Sequence, residues 1–147
     1  MIILAMDSTA RAAAAALLDG ETLLCKEMHD DAGTHSSTLL PSVERLLKKA
    51  SLGFDDIDLF AASAGPGSFT GVRIGICAAN AMAAAFGKPV AAASSLEGLL
   101  YGIDNACALL DCRNGNGYAM VKYEGFSPEP MAVVIDDLLS TLPRGIL

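Results

Sequence analysis

Ala64-Gly65-Pro66-Gly67-Ser68-Phe69-Thr70-Gly71-Val72-Arg73-Ile74-Gly75-Ile76 runs from the end of an apolar segment into a small-residue helix that continues to Phe86. Gly65 and Gly67 permit backbone angles closed to other residues, Pro66 restricts the chain between them, and Ser68 or Thr70 can accept from the first free N–H groups of the helix. A stiff loop feeding a capped helix is expected. Gly71, Gly75 and Ala79 fall four apart, so one side of that helix is nearly bare and another element can approach its backbone. Val72, Ile76, Ala83 and Phe86 form a neighbouring side expected to rest on a sheet. Gly87 should stop the helix, with Pro89 just beyond.

Before this stretch, Ile2 to Met6 is a short apolar run ending in Asp7-Ser8-Thr9, as in a buried strand that delivers a polar turn. Ala12 to Leu18 is helical by alanine propensity, but Asp19-Gly20 is a strong hairpin signal and the strand-like run Glu21 to Met28 follows, so three strands are expected. From Thr34 to Ala50, Leu39, Leu40, Val43, Leu46, Leu47 and Ala50 recur at helical spacing, opposite Glu44, Arg45, Lys48 and Lys49. Pro41 is expected in or near the first turn of that helix. Asp58 to Ser63 and Pro89 to Ala93 read as strands on either side of the Gly-Pro-Gly loop and its helix, and Ser94 to Tyr101 as a short helix. The order β-β-β-α-β-α-β predicts an α/β fold with a mixed sheet. Beyond Gly102, Ala106 to Leu110, Gly117 to Tyr123 and Met131 to Ile135 read as strands and Asp136 to Leu142 as a closing helical turn or two. Residues 1–102 are thus expected to form one lobe and 103–147 an incomplete second lobe leaning on it.

A chain of 147 residues, 52% hydrophobic and 18% charged, is globular in composition and long enough for one core. A net charge of −7 opposes direct binding of nucleic acid, because neutralising phosphates needs a basic surface. Cys25, Cys77, Cys107 and Cys112 form no C-x-x-C pair and lie in apolar runs, which suggests buried, reduced thiols. Asp7 and Arg11 interrupt the apolar start, so neither a signal peptide nor a membrane span is expected, and a cytoplasmic location is.

Chemical signals are sparse. The Gly65 loop has no Lys after Gly71 and lacks P-loop and dinucleotide spacing. It keeps a helix N-terminus that could receive an anion, although a structural turn is the commoner use of such a loop. Asp7-Ser8-Thr9 suits a phosphate or hydrated-metal turn and a capping turn equally. His29, Asp30, Asp31 and His35 do not have metal-ligand spacing. Ser63, Ser68, Ser94 and Ser95 have no histidine that the sequence would place as a base.

Four stretches carry a resemblance: Ile3-Leu4-Ala5-Met6-Asp7-Ser8-Thr9, His35-Ser36-Ser37-Thr38-Leu39-Leu40-Pro41-Ser42-Val43, Gly65 through Gly75, and Asp111-Cys112-Arg113 with Tyr118. Together, over residues 2 to about 123, they resemble the TsaB (YeaZ) family. The resemblance implies an actin/Hsp70-type ribonuclease H-like fold and a part in making threonylcarbamoyladenosine in tRNA. It also implies a non-catalytic, cytoplasmic subunit that pairs with its catalytic paralogue TsaD, is joined by the ATPase TsaE, forms a homodimer when alone, and meets tRNA only indirectly. Where the paralogue has a His-x-x-x-His metal pair, this chain has Ser95 and Leu99, so no catalytic residue, metal or cofactor is expected. Asp7-Ser8-Thr9-Ala10 lacks the phosphate-turn glycine of active superfamily members. Asp7, Ser8, Thr9, Gly65, Gly67 and Ser68 are therefore expected to form a vestigial nucleotide site. The family's Asp-Ala-Arg is here Asp111-Cys112-Arg113, and the second lobe is short, as in a shortened variant.

The partner interface expected from sequence comprises Leu39, Leu40, Val43, Leu47, Gly71, Gly75, Ala79 and Met82, on two neighbouring helices with a free apolar side. A small sugar or acid kinase of the same superfamily is an alternative that needs an intact phosphate loop. A metallopeptidase of the glycoprotease type is another, and it needs the missing histidine pair.

Overall fold

The computed structural model describes residues 1–29, 35–124 and 129–146, with the side chains of His35 and Ser36 left aside. The chain divides into two compact units, Met1–Ala93 and Ser94–Leu147.

The first unit holds strands β1 (Ile2–Asp7), β2 (Ala13–Asp19), β3 (Thr22–His29), β4 (Leu59–Ser63) and β5 (Val90–Ala93), with helices α1 (His35–Ala50) and α2 (Phe69–Phe86). Its sheet runs β3-β2-β1-β4-β5. Strand β1 lies antiparallel to β2 and parallel to β4, β2 is antiparallel to β3, and β4 is parallel to β5. The expected order and mixed sheet are therefore observed. The alanine-rich segment is a strand, because Gly20, at φ 56°, turns the chain straight back after Asp19 and pairs Asp19 with Thr22. Within β2 the burial alternates: Ala13, Ala15 and Leu17 face the core. A helix would have spread the same residues around an axis.

Leu4 and Met6 of β1, Ala15 and Leu17 of β2, and Phe60 and Ala62 of β4 meet Leu39, Val43, Leu46 and Leu47 of α1 and Ala79, Met82 and Ala83 of α2 in one core cluster. Both helices share this core and contact each other, as the sequence implied. Leu40 departs from the expectation: it is 48% exposed, while Ser42 is buried in its stead and donates to the Thr38 carbonyl oxygen at 2.8 Å. Pro41 lies inside α1 rather than at its first turn. Outside the core, Arg45 Nε donates to Glu27 Oε2 at 2.9 Å, tying α1 to β3. Burial pushes the Glu27 pKa up, but the hydrogen bonds and charges of Arg45 and His29 outweigh it and hold the carboxyl below its usual range. By length and composition alone α2 could cross a membrane, yet Gly71, Gly75, Ala79, Met82 and Ala83 make its inner side part of the core. Gly87, at φ 63°, ends it with the expected left-handed cap.

The second unit contains helix α3 (Ser95–Leu99), strands β6 (Ala106–Asp111), β7 (Asn116–Lys122) and β8 (Met131–Val134), and helix α4 (Ile135–Thr141). The strands form an antiparallel sheet in the order β6-β7-β8. Leu96, Leu100, Ala106, Ala108 and Met120 form one small cluster, and Ala119, Val121 and Leu138 another. Left-handed Arg113, Asn114 and Gly115 turn the chain between β6 and β7.

Leu46 is fully buried where α1 meets the sheet. Leu46→Ala should lower the stability of the first unit by about 3 kcal/mol, through lost burial and the cavity left behind. Urea denaturation followed by circular dichroism measures this, and a loss under 1 kcal/mol would contradict the packing described.

Candidate functional site

At the carboxyl end of β1 the chain turns through Asp7, Ser8 and Thr9, directly against the Gly65–Gly71 loop and the start of α2. Asp7 Oδ1 accepts from the Thr9 backbone N–H and from Thr9 Oγ1, both at 2.7 Å. Ser68 N donates to the Thr9 carbonyl oxygen at 2.7 Å, and Ser8 Oγ donates to the Gly71 carbonyl oxygen at 2.7 Å. Ser68, one of the two capping candidates, is the N-cap of α2, its Oγ accepting from Gly71 N at 3.3 Å. Ser8 and Thr9 are buried polar residues.

The glycines allow this contact. A Cβ on Gly67 would stand 2.7 Å from both Thr9 Cβ and the Thr9 carbonyl oxygen, one on Gly75 would touch Ser8 Oγ at 3.0 Å, and one on Gly71 would overlap the Ser8 carbonyl oxygen. The bare side of α2 is thus occupied by the chain's own β1 turn. The structure brings Asp7, Ser8, Thr9, Gly65, Gly67 and Ser68 into one constellation, in which several of the polar groups bond to one another. The Ser68 N–H at the entry to α2 serves Thr9, and Asp7 closes its own turn. Two open hollows among the described residues lie elsewhere, one between α2 and β5 lined by Ile76, Asn80 and Val90, the other beside Tyr118 and Val133. Among the described residues, no three of His, Cys, Asp and Glu cluster as metal ligands.

The expected interface needs correction. Leu39, Val43, Leu47, Ala79 and Met82 are core residues, and Gly71 and Gly75 are buried against Ser8, so of the eight only Leu40 faces outward. The reason is geometric: a helix side without side chains suits a neighbouring backbone of the same chain as well as a partner's, and here β1 takes it. The outward residues of α2 are Phe69, Thr70, Arg73, Cys77, Asn80, Ala81, Ala84 and Ala85. Sequence reading passed over them although a signal was present. Arg73 is the only charge in α2, and two positions from Gly71 and Gly75 it points nearly the opposite way.

The remaining sequence candidates fall as follows. Ser94 caps α3, accepting from Glu97 N at 3.4 Å, and Ser95 and Leu99 are the first and last residues of that helix. All four cysteines are free; Cys25 is buried and Cys107 half-buried, but Cys77 and Cys112 are exposed, which corrects the expectation of four buried thiols. Their apolar neighbours in sequence belong to a helix with an exposed outer side and to the end of a strand, where local hydrophobicity does not bring burial. Burial pushes the Cys107 thiol pKa up, away from the thiolate. His29 Nε2 lies 2.6 Å from Arg45 Nη2 and 3.3 Å from Glu27 Oε2. Asp30 and Asp31 lie outside the described residues.

Comparison with known proteins places this architecture. The family model of TsaD, tRNA N6-adenosine threonylcarbamoyltransferase, matches residues 29–139. The tRNA threonylcarbamoyladenosine biosynthesis protein TsaB of Haemophilus influenzae is 33% identical over 125 residues, 80% of this chain and 52% of that protein. The solved structure of YeaZ from Pseudomonas aeruginosa superposes with a TM-score of 0.75 at 29% identity, over 90% of this chain and 66% of that one. Component A of (R)-2-hydroxyglutaryl-CoA dehydratase from Acidaminococcus fermentans shares the fold, with a TM-score of 0.54 at 14% identity. The chain spans about half the length of the curated relative and just under two thirds of the YeaZ chain.

Gly71→Ala should separate α2 from β1 and break the Ser8–Gly71 hydrogen bond, at a cost of about 3 kcal/mol. Gly98→Ala, with open space at its Cβ, should change stability by less than about 1 kcal/mol. Parallel thermal denaturation of the two variants checks this pair, and equal melting temperatures would refute the close contact.

Proposed function

Since the chain belongs to the TsaB (YeaZ) family, we propose that its role is that of a non-catalytic subunit in tRNA threonylcarbamoyladenosine biosynthesis, paired with the catalytic paralogue of the TsaD type. The observation that carries this reading is the internally bonded turn at Asp7–Thr9. An ATP-using relative needs free N–H groups and a carboxylate there for phosphate and magnesium, whereas this chain commits Ser68 N, Ser8 Oγ and Asp7 Oδ1 to internal bonds. Ser95 and Leu99, at the positions that resemblance gives to the paralogue's histidines, offer no imidazole to a metal. The net charge of −7 leaves the grip on tRNA to the partner.

Pairing is proposed through the outward sides of α1 and α2, where Leu40 and Phe69 are exposed large apolar residues and Cys77, Ala81 and Ala84 leave room for a neighbouring helix. The core residues Leu39, Val43, Leu46 and Leu47 support this surface from beneath.

Loss of the chain from its source cell should remove threonylcarbamoyladenosine from tRNA, read by nucleoside mass spectrometry. The purified chain should co-purify with the TsaD-type transferase of the same cell. Unchanged nucleoside levels in the deletion strain would reject the role.

Calorimetric titration of the chain with magnesium and ATP should show no tight binding. Micromolar, magnesium-dependent binding would favour the kinase alternative instead.

A further inference from the structure

Helix α2 carries a single charged residue, Arg73. Thr70, Arg73, Cys77, Asn80 and Ala84 are all exposed and follow one another at spacings of three and four, the spacing of a seam between two helices. The outer side of α1 is built differently. It carries Glu44, Arg45, Lys48 and Lys49 beside the exposed Leu40, so charges of both signs surround its apolar contact.

Arg73 lies against an aromatic ring of its own helix. Its guanidinium carbon lies 4.9 Å from the centre of the Phe69 ring, and Phe69 is itself 74% exposed. Among the described residues Arg73 forms no ion pair. The ring steadies the guanidinium along the helix surface and leaves its N–H donors without a carboxylate. A helix that covered this seam without bringing an acid would bury an uncompensated charge, which costs more than the small side chains around it return.

We infer, on the basis of the pairing proposed above, that Arg73 is the specificity-determining residue of that interface. The occupant of the α2 seam is a helix of the catalytic paralogue that is apolar along most of its contact and places one carboxylate opposite Arg73. A two-toothed guanidinium–carboxylate pair fixes both partner and register, which a surface of alanine, cysteine and asparagine cannot do by shape alone. A second copy seated α2 on α2 brings no such group, because α2 contains no acid. The charge thus favours the paralogue over a second copy seated α2 on α2.

The test measures binding of the full chain to the purified TsaD-type transferase of the same cell, for wild type, Arg73→Glu, Arg73→Gln and Ala81→Glu. Arg73→Glu should weaken binding at least about 30-fold, and Arg73→Gln should flatten the salt dependence. Both should melt as wild type does, since Arg73 is exposed. If Arg73→Glu binds like wild type while Ala81→Glu does not bind, the assignment to Arg73 is overturned and pairing through α2 stands. If wild type does not bind the transferase at all, the pairing fails and the assignment with it. Self-association of wild type that Arg73→Glu abolishes would give the seam to a second copy and overturn the assignment equally.

Discussion

The close approach of α2 to the end of β1 is the contact on which the first unit depends. Ser8 Oγ bonds the Gly71 carbonyl oxygen, Ser68 N bonds the Thr9 carbonyl oxygen, and Gly67, Gly71 and Gly75 leave no side chain between the two backbones. With that end seated, α2 runs back over the sheet so that Ala79, Met82 and Ala83 reach the core beside Phe60 and Ala62. Helix α1 then fills the remaining width with Leu39, Val43, Leu46 and Leu47. A larger residue at Gly71 would lift the helix from its first turn, and every later contact would lose its register.

The same contact has a chemical consequence. A strand end facing a helix N-terminus is a natural place for a phosphate, since unpaired N–H groups and the helix dipole favour an anion. In this chain the protein's own carbonyl and hydroxyl oxygens stand there. The turn serves as a structural joint, with Asp7 closing its own loop onto Thr9.

The order and direction of the elements were legible in the sequence because each rests on local chemistry. Asp19-Gly20 turns the chain whatever the alanine propensity before it, Ser68 caps and Gly87 stops α2, and the apolar repeat of α1 has a charged opposite side. The membership of the candidate turn was legible too, since Asp7–Thr9 and Gly65–Ser68 stand at the ends of adjacent parallel strands in that order.

Sequence by itself therefore determined the strand-helix order, the capped loop and the absence of P-loop spacing, all properties of neighbours along the chain. Tertiary structure alone decided which way α2 faces. A stripe of Gly71, Gly75 and Ala79 is compatible with a partner's helix or with the chain's own backbone, and periodicity describes a side without saying what covers it. The Ser8 hydroxyl and the Thr9 carbonyl, far away in sequence from the glycines they meet, settled that choice, because buried polar groups must find partners and the helix backbone was the one within reach. With the glycines turned inward, Arg73 and Cys77 were left on the outside.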